Sequence, residues 1–206
     1  GEISDRLRAR VMATGELMAT RIGAAYLASE GLDVQWLDVR TILHAEERSG
    51  ATVRANYLSA TCSFEPDPAL QQRLSTGGNV LLTQGFIASD SKGETVLLGR
   101  GGSDTSGSYL AAKLHARRLE IWTDVPGMFT ANPRGVPNAR LLKSLDYDEA
   151  QEIASSGAKV LHPRCILPAK QYSIPLSVHA TQRPEFAGTV ITATGGDGGA
   201  RVKAVC

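Results

Sequence analysis

Apolar residues recur along the first thirty positions at the spacing of a helix. Leu7, Val11, Met18, Ile22 and Tyr26 fall roughly on one face between Ile3 and Glu30, Gly31 supplies a stop, and Ala13-Thr14-Gly15 reads as an interruption. The period then changes. Val34 to Val39 reads as a strand, Pro68 to Leu74 as a short helix, and Asn79 to Thr83 as a buried strand that runs into Gln84-Gly85-Phe86. Thr95 to Leu98 is a short strand after a turn at Ser89 to Gly93, and Thr105 to Arg117 is a helix with Leu110 and Leu114 inward. Leu119 to Thr123 is a further strand. Helices at Tyr147 to Ser155 and Pro163 to Gln171 precede strands at Ile174 to His179 and Thr189 to Thr192. This alternation predicts an α/β chain, a layered sheet covered by helices.

Composition narrows the function more than the fold. The 206 residues, 42% of them hydrophobic, suffice for one substantial core or two small ones, and we read one domain. Lys and Arg number 22 against 21 Asp and Glu, so no basic field points to nucleic acid and no acidic tail to a basic partner. Cys62, Cys165 and Cys206 form no CxxC pair and have no histidine pair at zinc spacing, so they read as cytosolic thiols and no metal site is expected. No apolar run reaches the roughly 18 residues of a membrane span. The start, Gly1-Glu2-Ile3-Ser4-Asp5, lacks the basic and apolar regions of a signal peptide. A soluble, cytoplasmic protein without membrane or nucleic-acid partners is expected.

Chemistry concentrates in Leu98-Gly99-Arg100-Gly101-Gly102-Ser103-Asp104. Glycine lets backbone approach a ligand, successive N–H groups can line a concavity, and a helix opening near Ser103 or Asp104 adds its positive end. Such a loop suits phosphate or carboxylate. A dinucleotide fingerprint starting at Gly99 fails at Asp104, and the Gly-Lys-Ser/Thr of a Walker loop occurs nowhere. Taken alone, the loop is also compatible with a plain glycine turn between strand and helix.

Five segments stand together in order and spacing: Gly15-Glu16-Leu17-Met18, Gln84-Gly85-Phe86-Ile87, the Leu98 to Asp104 loop, Ile121-Trp122-Thr123-Asp124-Val125-Pro126-Gly127, and Gly157-Ala158-Lys159-Val160-Leu161-His162-Pro163. Through them nearly the whole chain resembles the aspartokinases of the amino acid kinase family. The resemblance implies a three-layer αβα sandwich and a homo-oligomer. It implies transfer of the γ-phosphoryl group of ATP to the side-chain carboxylate of L-aspartate, giving 4-phospho-L-aspartate, the first step of lysine, threonine and methionine biosynthesis. Mg²⁺ would come with the nucleotide. Such a reaction depends on placement and charge neutralisation rather than on a protein nucleophile.

The resemblance also assigns residues. Arg100 and Ser103 hold aspartate with Gly101 and Gly102, Phe86 lies on the same pocket, and Glu16 receives the substrate ammonium group. A guanidinium grips a carboxylate with two prongs, which lysine cannot copy. Read alone, Arg100 is a surface arginine in a turn, and Glu16 a carboxylate complementing the dipole in a first helical turn. Asp104 takes an organising role in catalysis with Arg100, or is an N-cap, and both can hold. Thr123, Asp124, Phe129, Arg134, Lys159 and Val160 meet the nucleotide, with Thr123 and Asp124 beyond the carboxyl end of a strand. Phe129 stands where tyrosine is frequent, and Asn132 where aspartate is usual. His162 reads as a cap or packing residue, His44, His115 and His179 as structural, and Trp36 and Trp122 as strand packing.

One departure is large. Aspartokinases begin with a strand and a Lys-Phe-Gly-Gly-Thr-Ser loop whose lysine meets the transferring phosphate, and nothing here matches it. Residues 1–194 are therefore expected to be an N-terminally truncated catalytic domain, with 195–206 a glycine-rich linker and the start of an ACT-like regulatory region. Losing such a clamp costs on the order of several kcal/mol at the transition state, so little activity is expected of this chain alone. Val34-Gln35-Trp36-Leu37-Asp38-Val39-Arg40 looks most like the lysine-sensitive type, and a fusion to diaminopimelate decarboxylase or homoserine dehydrogenase is open. The competing readings are a glutamate, acetylglutamate or carbamate kinase, and a noncatalytic nucleotide-binding fragment. Glu16 argues for a substrate with a free amino group, which carbamate lacks.

Overall fold

One helix, α1 (Asp5–Ser29), takes up the N-terminal stretch without interruption in the computed structural model, which describes residues 3–75, 79–133, 135–157, 160–195 and 204. Ser4 caps it by accepting the Leu7 N–H. The expected break at Ala13-Thr14-Gly15 is corrected because the Thr14 hydroxyl is absorbed inside the helix, donating to the Arg10 carbonyl at 3.0 Å. The expected inward stripe is corrected too. Leu7, Val11, Met18, Ile22 and Tyr26 are 47–67% exposed, whereas Ala9, Ala13 and Ala24 are buried. Ala9 and Ala13 share a core with Val96, Leu97 and Tyr109, and Leu17 packs against it. Alanine lets a helix axis come close to its neighbour; the bulkier face would hold it off.

The chain divides into two compact units, Gly1–Leu114 and His115–Cys206. In the first, β1 (Val34–Leu37) runs parallel to β2 (Val80–Thr83) with Val34 opposite Val80. Asp38 ends β1 by capping a 3₁₀ turn at Val39–Thr41. Between the two strands lie α2 (Val53–Leu58), capped by Thr52, and α3 (Pro68–Ser75), with proline at its first position. A hairpin follows: β3 (Ile87–Ser89) pairs antiparallel with β4 (Thr95–Leu97), and the Asp90 carboxylate closes its turn by accepting the Lys92 and Glu94 N–H groups at 2.9 and 2.8 Å. The helix α4 (Gly102–Lys113) begins three residues earlier than Thr105, at the glycines themselves.

In the second unit, β5 (Leu119–Thr123), β6 (Ser144–Asp146), β7 (Leu176–Ala180) and β8 (Thr189–Thr192) form one sheet in the order β5-β7-β8-β6. β7 and β8 are antiparallel and the other two pairs parallel. Alternate residues of β7, Leu176, Val178 and Ala180, are buried. A reciprocal capping box between Asp146 and Glu149 starts α5 (Tyr147–Ser155). The expected helix from Pro163 divides into a 3₁₀ turn, Pro163–Cys165, and α6 (Ile166–Gln171); His162 caps the turn by accepting the Arg164 N–H at its Nδ1. His179 stacks on Trp122 from the neighbouring strand at 4.8 Å between centroids.

Candidate functional site

The glycine loop and the Gln84-Gly85-Phe86 turn interlock at one end of the first unit, where β2 and β4 finish and α4 starts. Gly99 and Gly101 have φ of 76° and 65°, conformations that glycine adopts at little cost. Gly85 and Gly102 serve closeness instead. A Cβ on Gly102 would stand 2.7 Å from Phe86 Cδ2 and 3.1 Å from Phe86 Cα, and one on Gly85 would stand 2.9 Å from Ser103 Cβ. Phe86 itself sits at φ 70°. Its N–H donates to Ser106 Oγ at 2.8 Å and its carbonyl accepts the Leu98 N–H at 2.8 Å.

Gly101 occupies the N-cap position of α4 without a side-chain cap, so the first turn keeps its positive end toward the loop. Asp104 lies inside that turn, which corrects the N-cap reading. It is half-buried, and burial holds its carboxyl above the ordinary carboxylate range. Arg100 and Ser103 are exposed, and among the described residues no carboxylate lies within ion-pair distance of Arg100.

Glu16 is half-buried in the middle of α1, not in a first turn, so the dipole reading of it is corrected. One turn on, the Thr20 hydroxyl donates to the Glu16 carbonyl at 2.8 Å and accepts from Gln84 Nε2 at 2.8 Å. This bond brings the turn of α1 that carries Glu16 to the turn that carries Phe86. Thr20 and Ser106 escaped the sequence reading, and Gln84 was read as part of its motif without a role of its own. The signal for the other two was slight: Ser106 lies two residues beyond the glycine loop, and Thr20 one turn beyond Glu16.

In the second unit, Thr123 ends β5 and donates its hydroxyl to Asp124 Oδ1 at 3.2 Å. The segment beyond is pinned to β8: Met128 N–H donates to Thr189 Oγ1 at 2.8 Å, and Gly127 packs on the same threonine. Phe129 bridges to Leu141 and is half-buried, as is Val160. Arg134 and Lys159 lie outside the described residues, as do residues 196–203 of the expected linker.

A cleft of about 350 Å³ lined by Glu46, Arg48, Asn56, Tyr57, Asp90 and Lys92 lies at the other end of the β3–β4 hairpin from the glycine loop. Its walls carry both signs of charge. Among the described residues no His, Cys, Asp and Glu cluster could hold a metal ion, and no helix is long and apolar enough to cross a membrane.

Residues 2–179 match the amino acid kinase family. The chain belongs to that family. It is 40% identical over 188 residues to lysine-sensitive aspartokinase 3 of Escherichia coli K12, covering 91% of this chain and 41% of that one. It is 42% identical over 188 residues to a bifunctional aspartokinase/homoserine dehydrogenase of Buchnera aphidicola, covering 91% and 22%. The crystal structure of E. coli aspartokinase III in complex with aspartate and ADP (R-state) matches with a TM-score of 0.82 at 37% identity, over 94% of this chain and 42% of that one. The α/β architecture is thus that of an amino acid kinase with aspartokinase homologues, and this chain spans less than half the length of each of these relatives.

Proposed function

We propose that this chain serves ATP-dependent phosphorylation of the side-chain carboxylate of L-aspartate. One observation carries the reading: Phe86 and the Gly101–Ser103 backbone are packed into a single wall next to Arg100, with the Glu16 turn bonded to the same wall through Thr20 and Gln84. A guanidinium, a hydroxyl and backbone N–H groups suit a carboxylate, and Glu16 suits the ammonium group of a free amino acid. The match to a structure holding aspartate and ADP supports the same assignment.

Arg100, Gly101, Gly102 and Ser103 hold the substrate, with Phe86 closing one side. Asp104 stands in the helix turn facing the loop and organises charge there. Thr123, Asp124, Phe129, Arg134, Lys159 and Val160 serve the nucleotide. Mg²⁺, carried by ATP, neutralises phosphate charge during transfer. The protein works in the cytoplasm as a homo-oligomer.

Calorimetric titration of the chain with L-aspartate, and separately with ADP, tests this reading. Both ligands are expected to bind, with L-aspartate affinity falling about tenfold or more in Arg100→Ala and in Glu16→Gln while ADP affinity holds. Preference for glutamate, N-acetylglutamate or carbamate would move the chain to another branch of the family. ADP binding with none of these acids would leave a nucleotide-binding module.

A further inference from the structure

Ser106 and Thr105 are adjacent, buried, and both return their hydroxyls to the helix, Thr105 to the Gly101 carbonyl at 2.8 Å and Ser106 to the Gly102 carbonyl at 2.7 Å. Such back-bonding is ordinary for these residues in helices. Ser106 does something more. The same oxygen accepts the Phe86 N–H at 2.8 Å, so one hydroxyl, 1% exposed, ties the turn of Phe86 to the loop of Arg100.

Both ends of that tie need it. Phe86 holds φ 70°, a strained conformation for a residue with a side chain, and it persists only when surroundings enforce it. Its backbone is held by two bonds, the Leu98 N–H on its carbonyl and Ser106 on its N–H. Gly102 presses on the Phe86 ring and Cα so closely that no side chain fits between, so the position of one sets the position of the other.

We propose that Ser106 is a positioning residue for the carboxylate substrate, fixing the Phe86 ring and the Gly101–Ser103 backbone in one relation. The inference rests on the reading of this wall as the aspartate site. Ser106 touches neither substrate nor nucleotide and acts through Phe86 and Gly102. A hydroxyl is required because the position must accept one hydrogen bond and donate another; alanine does neither, and threonine does both.

The test titrates L-aspartate and ADP into the wild-type chain, Ser106→Ala, Ser106→Thr and Thr105→Val, and follows hydrogen exchange at the Phe86 amide. Ser106→Ala is expected to weaken L-aspartate binding about tenfold, leave ADP within about twofold, and release the Phe86 amide to exchange. Ser106→Thr is expected to keep wild-type affinity and protection. Thr105→Val is expected to lower the melting temperature without changing L-aspartate affinity or Phe86 exchange. If Ser106→Ala does not fold, Ser106→Cys, close in shape but a weak acceptor, carries the same comparison. Unchanged L-aspartate affinity in Ser106→Ala, or parallel loss of L-aspartate and ADP binding matched by Thr105→Val, overturns the proposal. A wild-type chain that binds ADP but not L-aspartate instead overturns the functional reading, and the proposal with it.

Discussion

Gln84 and Thr20 are joined by a 2.8 Å hydrogen bond from a buried carboxamide to a helix hydroxyl. Gln84 Oε1 accepts the Val39 N–H at 2.9 Å, and Thr20 Oγ1 also accepts Trp36 Nε1 at 3.1 Å while donating to the Glu16 carbonyl. The hydroxyl is thereby saturated, with two bonds accepted and one donated. Thr20→Val keeps the shape but leaves two donors, one of them buried, without an acceptor. It is expected to cost about 2 kcal/mol in urea unfolding, and Thr20→Ser to cost well under half of that. Equal stability of Thr20→Val and wild type would remove the network from any account of how Glu16 is held.

What the sequence disclosed depended on length and on chemistry. β5 and β8 were read as strands with the bounds they have, Leu119 to Thr123 and Thr189 to Thr192, and the glycine loop as a density of Gly residues next to an arginine. β3 and β6, of three residues each, are too short to show a period, whereas the equally short β4 was legible through the turn before it, and α2 buries no residue that would mark an inner face. In the candidate site, residue types were readable but proximity was not. Nothing in the chain separates Gly102, which makes room for Phe86, from Gly101, which supplies a left-handed backbone. Glu16 was legible as a carboxylate and misplaced at a helix start, because Thr14 and Gly15 read as a break, and the return of the Thr14 hydroxyl to the Arg10 carbonyl within a continuous α1 has no sequence signal.

The reversal of α1 gives a direct test. Ile22 is 67% exposed and Ala13 1%, so the larger residue carries less of the core. Ile22→Ser is expected to change unfolding free energy by less than about 0.5 kcal/mol. Ala13→Leu, a gain in hydrophobicity, is expected to destabilise by about 1–3 kcal/mol through overpacking. The opposite ranking in chemical denaturation would restore the bulky stripe as the inner face.

Among the described glycines of the second unit, Gly188 should be the least replaceable. Its φ is +72°, and a Cβ there would fall 1.9 Å from the Val178 carbonyl oxygen. The obstacle is backbone of the central strand β7, which cannot step aside as a side-chain tip can. Gly188→Ala is expected to cost more than about 3 kcal/mol, or to prevent folding of the β7–β8 pair. Gly157→Ala is the matched control: φ is +115° but nothing lies within 4 Å, so only backbone strain, about 1–3 kcal/mol, is expected. Similar melting temperatures for the two variants would show that the β7–β8 connection yields.

Asp104 opposes stability in the first turn of α4, beside the glycine loop. Burial raises its carboxyl above the ordinary value, so the unfolded chain gives up this proton at lower pH than the folded chain does. Below both values the group is protonated in both states and contributes nothing. As pH rises through the unfolded value, near about 3.9, and then through the folded one, stability falls, and the deficit persists at neutral pH. Asp104→Asn is therefore expected to melt higher than wild type at pH 7 and to match it below about pH 3. Asp38 runs the other way, since its hydrogen bonds from Arg40 hold it low and its contribution is lost in acid, but both proteins share that loss and it cancels in the difference. The positive end of α4 favours an anion at position 104, so a gain at pH 7 means that desolvation outweighs the helix dipole. A variant less stable than wild type at pH 7 would mean the dipole wins and that Asp104 stabilises the loop it was expected to strain.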